Sequence, residues 1–167
     1  MFNVELQQTP ILRSSKSVFA TGVEDVWTPT WTFATPGDFS VTYGINQGKY
    51  FRLGSFVFAF FEVTSVTNGF DHTTAAGALR ISGLPRRVLS TASGNAMSGG
   101  SLYFAGITNG VVAWTQYTPE AVAGETYIEI RASGSGVVNG VVSATDMPTN
   151  GTVRTIGFVV YTAEGIS

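Results

Sequence analysis

His72 is the one histidine of the chain, and it follows Asp71 in "NGFDHTTAAG". A neighbouring carboxylate can orient an imidazole for acid–base work. Hydrolysis would also need a nucleophile in reach, and no Gly-x-Ser-x-Gly occurs. The turn-rich surroundings favour a loop role for this pair. A metal site would have to rest on carboxylates, because there is one His and no Cys. Glu24-Asp25 and Asp38 stand near strand starts, but without the spacing of a calcium loop. "GINQGKY" resembles a phosphate loop only superficially. Gly44 and Gly48 are separated by three residues, where that loop needs about four. Lys49 is followed by Tyr50 instead of Ser or Thr, and no helix follows to receive an anion. These readings predict no catalytic residue, no metal and no cofactor, hence a protein that is not an enzyme. The remaining candidates are aromatic. Trp27, Trp31, Trp114, Tyr103 and Tyr117 could form a stacking platform for sugar. Such residues also fill sandwich cores and anchor subunit contacts, and core or interface is the preferred reading.

The 167 residues suit one domain with a substantial core. Apolar residues make up 44% and charged residues 12%, against about 25% charged in ordinary domains. So charge-poor a surface points to a large subunit contact. Net charge is −2, and the densest basic cluster is Arg86-Arg87 with Arg80 nearby, which argues against nucleic acid as a partner. The absence of cysteine excludes disulfides. "MFNVELQQTPILRSSK" lacks the basic start and apolar run of a secretory signal. No run reaches the ~18 apolar residues of a membrane span, so no membrane insertion is expected.

The elements that would carry these residues are strands. In "WTPTWTF", Trp27, Pro29, Trp31 and Phe33 alternate with threonines, and Pro29 marks an edge or first strand. "DFSVTY", "GKYFRLG", "ALRIS" (78–82), "SLYFAGI" (101–107), "GVVAWTQY" (110–117), "TYIEIRA" (126–132) and "TVRTIGFVVYT" (152–162) follow the same period of two. Asn68-Gly69, Asn109-Gly110, Asn139-Gly140 and Asn150-Gly151 read as tight turns. The fold class is all-β: an antiparallel, jelly-roll-like β-sandwich over 27–167, with an extended N-terminal docking arm over 1–26. Residues 85–100 form a long polar loop.

Two strands are apolar on both faces. "GSFVFAFFEVTSV" puts Phe56, Phe58 and Phe60 on one side and Val57, Ala59, Phe61 and Val63 on the other. The last strand sets Ile156, Phe158 and Val160 against Val159 and Tyr161. An antiparallel sheet normally gives one face to water. The second face is therefore expected to be covered by further copies, with Phe56, Phe58, Phe60, Val57, Phe61, Val159 and Tyr161 as the candidate subunit contacts. In the arm, Phe2, Val4, Leu6, Ile11, Leu12, Arg13 and Lys16 are the candidate docking residues.

The stretch from Trp27 to Pro85 resembles a module of tailed-bacteriophage virion proteins, found in tail-fibre tips, tailspikes and other particle appendages. "WTPTWTFATPGDFSVTY" comes first. Gly48, Tyr50, Arg52, Gly54 and Val57 then match Gly-x-Tyr-x-basic-x-Gly-x-x-Val. Gly77, Leu79, Ile81, Gly83, Leu84 and Pro85 match its closing strand and Gly-Leu-Pro turn. The resemblance implies a homotrimer at the virion surface, assembled in the host cytoplasm. Lacking a long stem, the chain is expected to be a capsid decoration, or cement, protein whose arm meets other virion proteins. The alternative is a tail-fibre or tail-tip protein that binds a host-surface glycan or receptor.

Overall fold

The computed structural model describes residues 24–108, 114–134 and 136–165. Two antiparallel sheets face each other as a sandwich. The first has the order β1-β3-β4-β10-β6, and the second β2-β5-β8-β7 with β9 also paired to β8. In chain order these are β1 (Glu24–Trp27), β2 (Thr30–Thr35), β3 (Ser40–Leu53), β4 (Phe56–Asp71), β5 (Ala76–Ser82), β6 (Ser98–Ala105), β7 (Gln116–Ala121), β8 (Tyr127–Gly134), β9 (Val137–Val141) and β10 (Arg154–Thr162). Residues 24–26, read from sequence as the end of the arm, belong to β1 and pair with β3. Residues 1–23, and with them the seven candidate docking residues of the arm, lie outside the described residues, as does Asn109-Gly110.

"WTPTWTF" is two strands instead of one. The chain leaves the first sheet after Trp27 and enters the second at Thr30. Pro29 sits at the crossing, where its missing N–H breaks no ladder bond, and β2 is an edge strand as a neighbouring proline requires. The four alternating residues Trp27, Pro29, Trp31 and Phe33 are all buried. β3 and β4 form a long hairpin in which Leu53 pairs with Phe56 across the two-residue loop Gly54-Ser55. Gly54 takes φ +61°, as a tight turn of this hand needs. The Arg52 Nε–H donates to the Gly54 carbonyl at 2.8 Å and ties the loop.

Two of the expected turns lie inside strands. Val41 pairs with Phe70 and Tyr43 with Ser65, so Val66–Gly69 bulge outward opposite Thr42. Asn68, at φ 57°, makes that excursion possible. Asn139-Gly140 lies within β9, where Gly140 pairs with Ala132.

The core is a continuous apolar layer between the sheets. At one end Phe33, Phe39, Phe70 and Trp31 meet edge-on or tilted, with ring centroids 4.9–6.1 Å apart. The loop at 85–97 is pinned to this layer. Val88 is fully buried and bridges Ala163, and the Leu89 N–H donates to the Thr162 carbonyl at 2.7 Å. The Tyr161 hydroxyl lies inside the fold, donating to the Arg86 carbonyl at 3.0 Å and accepting from the Arg86 N–H at 3.3 Å. Burial pushes its pKa up.

Candidate interaction surface

The sidedness of β4 and β10 follows from their place in the middle of the first sheet. Val57, Ala59, Phe61 and Val63 of β4 and Val159 and Tyr161 of β10 point into the sandwich. Four of the seven candidate contact residues, Val57, Phe61, Val159 and Tyr161, are therefore core of their own chain and no part of its surface. Phe56, Phe58 and Phe60 point the other way, Phe58 being partly buried.

Register places more residues beside them. Leu53 pairs with Phe56, Phe51 with Phe58 and Lys49 with Phe60. Phe58 pairs with Val160, Phe60 with Phe158 and Glu62 with Ile156. Tyr103 continues the row beyond Ile156, and Val26 the row beyond Lys49. Among the described residues eleven large hydrophobic side chains are exposed, and eight of them lie on this outer face by register: Val26, Ile45, Phe51, Leu53, Phe56, Phe60, Tyr103 and Phe158. The phenylalanines are ordered against one another. Phe51 stacks on Phe58 at 4.5 Å with planes 5° apart, and Phe60 meets Phe158 at 5.8 Å. The polar members of the face cluster toward one end, where Arg154 pairs with Glu62 at 2.9 Å.

The outer face of the second sheet is of the opposite kind. Thr30, Thr32, Arg80, Ser82, Thr118, Glu120, Glu129 and Arg131 occupy it by register. Arg80 pairs with Glu129 at 3.2 Å and lies 4.2 Å from the centre of the Tyr127 ring, and Arg131 pairs with Glu120. One sandwich thus has a face suited to water and a face suited to another apolar surface.

The other candidates from sequence are dispersed. Trp27 and Trp31 are 7% and 3% exposed and belong to the core. Trp114 and Tyr117 pack partly against that core, so only Tyr103 of the five aromatic candidates stands out at the surface, at 59% exposure. His72 lies in the connection between β4 and β5, as a loop residue, and is buried there, 5.1 Å from the Phe33 ring and 6.0 Å from the Phe70 ring. Asp71 accepts the Asn150 N–H at 3.0 Å. The two neighbours therefore serve different surroundings.

Asp38 is saturated by hydrogen bonds. Its carboxylate accepts the Thr73 hydroxyl, the Thr73 N–H at 2.9 and 3.1 Å and the Thr74 N–H at 2.7 Å. These bonds, the Thr73 hydroxyl first, hold its carboxyl well below the usual carboxylate range. It clamps the β2–β3 turn to the β4–β5 connection. Gly44 and Gly48 of "GINQGKY" lie in β3, and Gly48 lies under the Trp27 indole. Among the described residues no group of three or more acidic or histidine side chains could hold a metal ion, and no helix is long and apolar enough to cross a membrane.

Val26, Phe51 and Leu53 were not among the contact residues expected from sequence, whereas Tyr103 was among the aromatics read there as core or interface. The alternation Lys49, Phe51, Leu53 in β3 carried the signal, but which parity faced outward was not readable without the pairing.

No protein-family model matches the chain, and no curated protein matches it in sequence. Among solved structures it is similar to the crystal structure of the Dettilon tailspike protein, with a TM-score of 0.62 over 86% of this chain at 12% identity. The chain spans 24% of the length of that tailspike. At this identity the likeness is one of fold.

Proposed function

We propose that this chain is a structural protein of a tailed-bacteriophage particle, carried on the particle surface as a homotrimer whose subunits meet through the outer face of the first sheet. The observation that carries the reading is the apolar face itself. Taking large apolar side chains at about 150–250 Å² each, its exposed fractions sum to on the order of 700 Å². The largest patch on a typical monomer is about 300–600 Å², and a standard interface takes about 800 Å² from each partner. Stacked phenylalanines are already ordered, so little side-chain entropy remains to be lost on association. Closed cyclic symmetry uses such a face without open-ended growth.

Sequence favours a capsid decoration protein whose arm bridges other virion proteins. The fold likeness to a tailspike supports the second form, a tail appendage that meets a host-surface glycan or receptor. Electron microscopy of purified particles labelled with an antibody to the chain separates the two. Label spread over the shell supports decoration, and label confined to the tail supports the appendage. Particles without label on either would overturn the virion reading.

A further inference from the structure

We infer that Tyr103, on edge strand β6 of one copy, seats in the groove beside β1 on the outer face of the next copy. This rests on the self-association proposed above and names the contact that fixes its geometry. The groove is open and has a volume of ≈ 770 Å³, with Val26, Gln47, Lys49, Phe60, Glu62 and Ile156 among its lining. It runs from β1 across β3 and β4 to β10, where Ile156 pairs with Tyr103 on the edge strand β6. Tyr103, the most exposed aromatic of the face, thus stands at the β6 end of a groove whose other end opens at β1, on the far edge of the sheet.

The chemistry of the two fits. Tyrosine presents an apolar ring and a hydroxyl that needs a partner when buried. The groove offers ring surface from Phe60 and Phe51, aliphatic surface from Ile156 and polar groups from Gln47, Lys49 and Glu62. A tyrosine ring alone would not fill the groove, and Phe158, packed on Phe60 at its border, adds apolar surface to the contact. Tyr103 is 59% exposed, although its strand neighbours Leu102 and Phe104 turn inward against the core. Contact between unlike parts of one face makes each copy both donor and acceptor, the arrangement that closes rings of three.

The test uses the full chain and two surface variants. Tyr103→Arg removes the inserted ring, and Gln47→Trp fills the groove from its own side. Both positions are exposed, and a wild-type circular dichroism spectrum with a cooperative melt confirms that each variant folds, its Tm falling only by what lost association removes. Each alone is expected to raise the dissociation constant at least ~30-fold, the size of an anchor residue in an interface, and to elute as a monomer. Mixed, they are expected to form dimers, because the intact groove of the Tyr103→Arg chain accepts the intact Tyr103 of the Gln47→Trp chain. Tyr103→Phe is expected to keep most of the assembly. An oligomer that survives Tyr103→Arg unchanged, or a mixture that stays monomeric, would overturn this pairing while leaving self-association standing. A monomeric wild type would overturn the self-association itself.

Discussion

Gly48→Ala offers the sharpest check on how the first sheet is built. A Cβ at Gly48 would lie 2.3 Å from the Trp27 Nε1 and 2.6 Å from two ring carbons, too close for any side chain to stay where it is. The indole is 7% exposed and donates to the Phe60 carbonyl at 3.0 Å. Losing a buried tryptophan outright costs ~3–5 kcal/mol, and a neutral hydrogen bond contributes about 1 kcal/mol. A ring that swings partly out and keeps half its burial loses about 2–3 kcal/mol on the same scale. Alanine is favoured over glycine in a strand by roughly 0.5–1 kcal/mol, which leaves a net cost near 2 kcal/mol. That lowers Tm by ~4–8 °C for a chain of this size. In a Trp27→Ala background the clash is gone, so Gly48→Ala is expected to be neutral or slightly stabilising. Urea denaturation of the four chains at one protein concentration completes the cycle. An equal cost in both backgrounds would refute the packing of Trp27 over Gly48.

Three other perturbations have defined outcomes. Asp38 has its carboxyl depressed from an ordinary value of 3.8, so its contribution to stability is full above that pH and is lost as pH falls toward the folded-state value. The stability–pH curves of wild type and Asp38→Asn should therefore lie a constant distance apart above about pH 4 and converge as pH falls below it, and curves that stay parallel below about pH 4 would refute the clamp. Tyr161→Phe strands the Arg86 carbonyl and N–H at the edge of the core. It should cost about 1–2 kcal/mol and speed amide hydrogen exchange at Val88 and Leu89 ahead of the rest of the chain. Phe60→Lys removes a ring that is 43% exposed and packed against Phe158, so it should cost the monomer about 1–2 kcal/mol yet abolish association, read as native mass together with a cooperative melt on the same sample.

The alternation in "GSFVFAFFEVTSV" announced two apolar faces, and both exist. Alternation gives parity alone, however. Which parity is core depends on the partner sheet, so Val57 and Phe61 could not be told from Phe56 and Phe60 until the sandwich was seen. The asparagine–glycine pairs were misread where glycine answers a packing need. Gly140 carries no turn; a Cβ there would lie 3.0 Å from the Trp114 ring. β7 continues through Pro119, past the expected strand end at Tyr117, because β7 is an edge strand and loses no required ladder bond there. The motif of the resemblance reads as architecture. Gly48 makes room for Trp27, Arg52 and Gly54 shape the hairpin loop, and Val57 fills the core. Gly77 and Gly83 take φ +78° and +91° at the two ends of β5. The buried His72 was not legible, since its burial needs Phe33 of β2, almost forty residues away in sequence, beside the nearby Phe70.

The central claim is that the outer face of the first sheet is covered by copies of the same chain. Sedimentation equilibrium of the purified 167-residue protein at micromolar concentration tests it most directly. The account predicts a species of about three chain masses, reduced to one by Phe60→Lys. A wild-type chain that remains monomeric at every concentration would contradict it.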